Sequence, residues 1–277
     1  MGVLFIIRGG KVILGEEKVK ILKVLFLFFG GAVVLFGAEE GSKKKELKFE
    51  PGQEVKIEVD NARIGGGHFV VYVPSDYTEE KAWPVIFVYH GMNGTPTTWP
   101  FKQATKGKGF IVVGMGYVAS EKGPMSKGQY INYFKKERRS VLAVKRYVSK
   151  YLRVDNDCLF VTGYSKGGWH TAAMLAVSGK VWAGGVIFAA GRSRNADALA
   201  TEEGKKALRG KAIYIGAGET DPNLEPAKKA AAYYERLGAK VTFEMFKGEG
   251  HSFDPSGSEI LQEWLISNGG VAGDSGE

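Results

Sequence analysis

Cys158-Leu159-Phe160-Val161-Thr162-Gly163-Tyr164-Ser165-Lys166-Gly167-Gly168 is the stretch on which the reading of this chain turns. Its first five residues describe a strand buried on both faces, and the glycines after them describe a turn too tight for side chains. His170 to Val177 then reads as a helix. Gly163, Ser165 and Gly167 carry the spacing G-x-S-x-G. With 39 glycines and 14 serines, chance supplies about 0.3 copies of that spacing, so the spacing alone is weak. Position gives it meaning. Between a buried strand and a helix, a serine is forced onto a sharp turn and exposed at the sheet edge. Glycines flank it because a Cβ there would strike the neighbouring strand or helix as the backbone bends.

The same alternation extends in both directions. Val55 to Val59 and His68 to Val73 read as early strands, with Asn61 to Gly67 as the turn between them. Val85 to Tyr89 after Pro84, and Phe110 to Val113, are continuous apolar runs. Runs of this kind belong to parallel strands covered on both faces. Lys135 to Tyr151 is a charged helix with one apolar stripe through Val141, Leu142, Val144, Val148 and Tyr151. Gly185 to Ala189, Lys211 to Ile215 and Val241 to Phe246 read as further strands. Pro226 to Leu237 and Glu259 to Ile266 read as helices, the former with proline in its first turn and Gly238 at its end. Strands and helices in alternation predict an α/β domain over residues 49–269, a mostly parallel sheet with helices on both faces.

A serine hydroxyl attacks only when a base removes its proton. Four histidines are available: His68, His90, His170 and His251. His68 opens a strand, and His170 falls in the helix after the turn, where packing or surface roles are expected. His90 ends a strand at Tyr89-His90-Gly91-Met92, and a structural role is expected for it too. His251 follows the last strand in the glycine-rich loop Gly248 to Phe253 and is the expected base. An acid that orients the base should lie between Ser165 and His251, just past a strand. Gly216-Ala217-Gly218-Glu219-Thr220-Asp221-Pro222 offers Asp221, preferred because it lies further into the loop beside a stiffening proline, with Glu219 as the alternative. Oxyanion donors are expected from the backbone N–H groups of Lys166, directly after Ser165, and of Met92 in the loop after Tyr89.

Taken in order, these residues resemble the α/β-hydrolase superfamily. Within it they are similar to exported polyhydroxybutyrate depolymerase-like and feruloyl-esterase-like proteins. Three stretches carry the resemblance: Phe69 to Pro74 leading to Tyr89-His90-Gly91, Val154-Asp155 leading to Val161 through Gly168, and Gly218 to Pro222 leading to Gly250-His251-Ser252-Phe253. They span roughly residues 50–267. The resemblance implies Ser165 as nucleophile, Asp221 as acid and His251 as base. Cys158 and Lys166 depart from it, since such proteins often carry arginine at the first position and a smaller or neutral residue at the second. The function so implied is a serine carboxylic-ester hydrolase working through an acyl-enzyme. A serine peptidase with the same three residues, or a non-catalytic binding protein on this scaffold, are the rivals.

Tyr130 and Trp169 are the expected substrate-lining residues. Core packing is the alternative for aromatics spaced as Tyr130, Tyr133 and Phe134 are, within the long segment Ser120 to Phe134. Cys158 is the only cysteine, which excludes an internal disulfide and a multi-cysteine metal site, and a buried apolar role is expected for it. No metal or organic cofactor is implied. Lys18, Lys20 and Lys23 precede an apolar run from Val24 to Ala38. A basic flank with a short apolar stretch describes a signal peptide over residues 1–38, followed by a linker at 39–48. Export is therefore expected, with membrane attachment only if the segment stays uncleaved. Phe36 departs from the usual small-x-small cleavage pattern. Loss of the leader removes five basic and two acidic side chains, taking the net charge from +8 to +5. No basic stripe is interleaved with aromatics, so the expected partner is an ester substrate, small or polymer-linked, and not nucleic acid. Residues 270–277 read as a flexible tail.

Overall fold

Strands that are apolar at every position can only be stable with both faces covered, and four such strands form the centre of the molecule. In a computed structural model, the described residues are 28–29, 32–33, 48–59, 67–118, 125–192, 196–197 and 199–269. Two compact units are distinguished, Met1–Lys48 and Phe49–Glu277. In the first, Phe28–Phe29 pairs antiparallel with Ala32–Val33. The signal-peptide, linker and tail readings otherwise lie outside the described residues. Among the described residues, no helix is long and apolar enough to cross a membrane.

The second unit is built on eight strands. They are β1 (Glu54–Glu58), β2 (His68–Tyr72), β3 (Trp83–Tyr89), β4 (Ile111–Met115), β5 (Val154–Tyr164), β6 (Gly184–Phe188), β7 (Ala212–Gly218) and β8 (Lys240–Phe246). Their spatial order is β8-β7-β6-β5-β3-β4-β2-β1. Only the β1–β2 and β2–β4 pairings are antiparallel. Every residue of β3, β4, β6 and β7 is buried. The edge strands carry the charge, with Lys56 and Glu58 on β1 and Lys240 and Glu244 on β8. Charged edges discourage further strand pairing.

Alternate residues of each strand face opposite layers, as a period of two requires. Ile86 and Val88 join Phe160, Val186, Phe188 and Tyr214 in a core closed by Leu261, Trp264 and Leu265 of helix α6 (Glu259–Gly269). Tyr89, the residue after Val88, turns the other way, its ring 4.2 Å from that of His170 on helix α3 (Lys166–Ser178). Helix α2 (Lys127–Val148) packs beside α3. Its buried positions Tyr130, Tyr133, Phe134, Val141, Val144 and Val148 form one stripe.

The start of α2 differs from the sequence expectation of Lys135. Ser126 accepts the Gln129 N–H and Gln129 accepts the Ser126 N–H, a capping box that starts the helix eight residues earlier. Tyr130, Tyr133 and Phe134 therefore sit in the first turns of a core helix and not in a long loop. Two short helices, α1 (Phe101–Ala104) and α4 (Glu202–Ala207), were not expected from the sequence, because each is too short to show a periodic stripe, and α5 (Leu224–Arg236) starts two residues before the expected Pro226. Cys158 is only partly buried, packed at the edge of the core with Sγ 3.7 Å from the Asn268 carbonyl. This departs from the fully buried role expected, because the first half of β5 runs out beyond the covered part of the sheet as Val154-Asp155-Asn156-Asp157.

The turn after β5 depends on missing side chains. A Cβ on Gly163 would lie 2.3 Å from the Gly167 carbonyl group, and one on Gly167 would lie 2.1 Å from the Tyr89 carbonyl oxygen. Both obstacles are backbone and cannot rotate away. Gly167→Ala is expected to cost about 1–3 kcal/mol and to lower Tm by roughly 2–12 °C. Gly128→Ala should raise Tm slightly, since nothing lies within 4 Å of the added carbon and the residue is helical. Thermal unfolding followed by circular dichroism checks both signs. Burial pushes the Cys158 thiol up to about 11. At pH 8 the folded protein should react with an aromatic disulfide at least roughly tenfold more slowly than the urea-unfolded chain, the lower thiolate fraction outweighing its greater nucleophilicity.

Candidate active site

Four loops leave the carboxyl ends of the parallel strands β3, β5, β7 and β8, and the chain order reverses direction across the sheet between β3 and β5. Crevices in open α/β sheets form at such a point. The loop after β5 is the tightest. Ser165 adopts φ 54° and ψ −114°, a left-handed conformation that costs a residue with a Cβ roughly 1–3 kcal/mol. Two hydrogen bonds hold it there: Ser165 N–H donates 2.9 Å to Phe188 O, and Trp169 N–H donates 3.1 Å to Ser165 O. The result is a serine raised out of the sheet with its hydroxyl free to turn to a partner.

That partner is His251. Ser165 Oγ lies 2.8 Å from His251 Nε2, and His251 Nδ1 lies 3.0 Å from Asp221 Oδ1. The carboxylate accepts only from a protonated Nδ1, so Nε2 carries the lone pair that faces the hydroxyl. The Asp221 side chain is fully buried, whereas the His251 side chain is 39% exposed. Asp221 Oδ1 also accepts the Asn223 N–H at 2.8 Å, and no described donor reaches Oδ2. A buried carboxylate so sparsely bonded gains most from a positive charge on the imidazole beside it.

Close backbone contact between the last two loops brings Asp221 and His251 together. Thr220 N–H donates 2.9 Å to Glu249 O, Glu219 N–H donates 3.0 Å to Phe246 O, and the Glu219 carboxylate accepts the Gly248 N–H at 2.8 Å. A Cβ on Gly218 would lie 2.1 Å from Gly250 O. Glu219, the alternative acid, is thus spent on the β8 loop and does not reach His251. Asn223 donates its side-chain amide to Ala189 O at 2.9 Å, tying the acid loop to the end of β6. Its signal in the sequence is Asp221-Pro222-Asn223, a turn in which an aspartate accepts the N–H two residues on, and that signal went unread behind the proline.

The loop after β3 passes directly beside Ser165. A Cβ on Gly91 would sit 3.9 Å from Ser165 Cβ. His90 donates Nδ1–H to Gly91 O at 2.7 Å, and the Tyr117 hydroxyl donates to His90 O at 2.5 Å. Met92 follows in this loop with an exposed side chain. Lys166 opens α3, so its N–H has no intrahelical acceptor. Its ammonium rests 4.4 Å above the centre of the Tyr117 ring. His170 is buried among Tyr89, Tyr117 and Phe134, where burial holds its imidazole well below the usual range. His68 opens β2.

A cleft of about 270 Å³ opens next to Ser165, lined by Tyr89, Gly91, Thr97, Trp99, Tyr164 and Phe188 among others. Neither Tyr130 nor Trp169, the residues expected to line a substrate site, is among the residues that line this cleft. Tyr130 is turned into the core on α2, its ring 4.8 Å from Phe134. Trp169 sits a full helical turn past the serine. Trp99 and Tyr164 do line it, with ring centres 5.3 Å apart. Sequence reasoning missed both, because Trp99 lies in a segment without periodicity and Tyr164 is the variable position inside G-x-S-x-G. Among the described residues, no group of three His, Cys, Asp or Glu side chains is placed to hold a metal ion.

No protein-family model and no curated protein matches this chain. Its likenesses are among solved structures. An S-formylglutathione hydrolase from Agrobacterium tumefaciens is 15% identical, with 82% of this chain and 98% of that one covered at a TM-score of 0.56. A carboxylesterase from Bacillus cereus is 18% identical over 78% and 94% of the two chains, TM-score 0.55. A thermophilic esterase from the Planctomycetes species Thermogutta terrifontis is 16% identical over 76% and 90%, TM-score 0.56. Identities this low speak to architecture, and with the strand order and the turn after β5 they establish that this chain has the α/β-hydrolase fold.

Proposed function

We propose that the protein is a serine hydrolase that cleaves carboxylic esters through an acyl-enzyme. One observation carries the reading: Ser165, His251 and Asp221 form a continuous hydrogen-bonded series at 2.8 and 3.0 Å. In this reading His251 takes the Ser165 proton as Oγ attacks the carbonyl carbon. The negative charge that gathers on the carbonyl oxygen is met by the N–H groups of Lys166 and Met92, one at the start of α3 and one in the loop beside Ser165. The imidazolium then protonates the leaving alcohol. Water, activated by the same imidazole, releases the acid and restores the serine. Asp221 holds the imidazole in the tautomer that faces Ser165 and stabilises its charged form.

The solved esterases of like fold support ester chemistry, and the cleft supports its scale. Its volume of about 270 Å³ falls just below the range that holds drug-sized ligands. An acyl or alcohol portion of modest size, largely apolar, fits the aromatic lining. The leader of basic residues followed by an apolar run supports action outside the cytoplasm. The reading requires no metal or organic cofactor.

A fluorophosphonate probe should label the wild-type protein and not Ser165→Ala. Absence of labelling, together with no turnover of a p-nitrophenyl ester panel, would favour a binding protein on this scaffold. Asp221→Asn should lower kcat by roughly 10³- to 10⁴-fold with little change in Tm, because the amide favours the wrong imidazole tautomer. Glu219→Gln should leave kcat within a few-fold, since the amide oxygen still accepts the Gly248 N–H. Steady-state kinetics on the two variants separates the candidate acids.

A further inference from the structure

The geometry points to Tyr164 as the positioning residue for His251, a link that fastens the base loop to the nucleophile turn. The inference rests on the serine-hydrolase reading and adds a fourth side chain to it. His251 lies on a segment without regular structure, and its side chain is 39% exposed. Its ring is hydrogen-bonded to Asp221 at one end and to Ser165 at the other, and neither bond fixes the backbone of the loop that carries it. Its backbone, however, is held by the residue immediately before the nucleophile. The Tyr164 hydroxyl lies 2.7 Å from His251 O and 3.1 Å from Phe253 O, and it accepts the Phe253 N–H at 2.8 Å. A phenol has one proton, which goes to the nearer His251 carbonyl while the oxygen lone pair takes the Phe253 N–H.

The link is stiff at both ends. The Tyr164 ring centre is 5.3 Å from Trp99, 6.2 Å from Phe188 and 5.3 Å from Phe253. Phe253 in turn stacks on Phe246 of β8 at 4.3 Å. At the other end, Tyr164 is the last residue of β5, so any displacement of its backbone also moves Ser165. Nucleophile and base, 86 residues apart, are therefore fixed to a common body through one hydroxyl. Burial pushes the Tyr164 phenol up to about 12, which keeps it a donor at any pH at which the enzyme would work. A misplacement of about 1 Å between reacting groups can cost roughly 10²-fold in rate, so this bond acts on the chemical step and not only on the fold.

Tyr164→Phe isolates the hydroxyl, because the ring that lines the cleft remains. On the full chain, kcat for a p-nitrophenyl ester should fall by roughly tenfold, KM should stay within about twofold, and the fluorophosphonate labelling rate should fall in step with kcat. Introduced into His251→Ala, the same substitution should cause no further loss of residual activity, since its effect passes through the base. Unchanged kcat in Tyr164→Phe, or an equal fold-loss in both backgrounds, would overturn the inference while labelling of wild type but not Ser165→Ala left the hydrolase reading intact. A wild type that is neither labelled nor active would overturn both. Amide hydrogen exchange on the wild-type protein gives a test independent of any variant: the Phe253 N–H should be protected, and rapid exchange there would sink the inference.

Discussion

A carbonyl oxygen at the end of β3 and a glycine at the start of α3 come so close that no side chain fits between them. The hypothetical Cβ of Gly167 would stand 2.1 Å from Tyr89 O. Because the helix can approach the strand end this closely, the intervening residue is driven into a left-handed conformation and lifted clear of the sheet. The same approach brings the β3 loop beside the serine, so that Gly91 faces Ser165. The exposure of Ser165 and the proximity of the proposed oxyanion donors are thus two results of one steric constraint. The backbone strain at Ser165 is held in place by hydrogen bonds to Phe188 and Trp169, outside the reacting groups.

A second constraint joins the loops after β7 and β8. Parallel neighbours in register place their following loops side by side, and backbone hydrogen bonds then zip them together. Asp221 is carried inward to full burial while His251 stays at the surface of the crevice. This division suits the chemistry. In the proposed reaction a carboxylate screened from water acts on the imidazole beside it, while the exposed face of the imidazole stays open to substrate and water. Tyr164 joins this pair of loops to the turn that bears the serine. The cleft is lined by the Tyr164 ring, so one side chain both borders the cleft and bonds the His251 loop.

Aromatic residues illustrate how placement decides role. Tyr130 and Trp169 looked as suitable for a substrate pocket as Trp99 and Tyr164 do. The difference arises from the capping box at Ser126, which turns Tyr130 into a helical core position, and from the helical turn that separates Trp169 from the serine. His170 illustrates the same point among the titratable residues. Enclosed by tyrosine and phenylalanine rings, it is kept neutral by burial and serves the packing under the turn.

What the amino-acid order by itself determined is the alternation of buried strands and helices, the G-x-S-x-G turn, and the succession of serine, acid and histidine along the chain. These are legible because they rest on local physics: continuous apolar runs, glycines where no Cβ fits, and loops that follow strand ends. Tertiary structure alone decided which carboxylate meets the imidazole, since Glu219 and Asp221 stand two residues apart and only the pairing of the β7 and β8 loops separates their roles. It also decided that Tyr164 reaches the His251 loop and that Trp99 lines the cleft. Such contacts join residues tens of positions apart, and no periodicity or spacing in the chain encodes them, because they exist only once the sheet has set its strands in order.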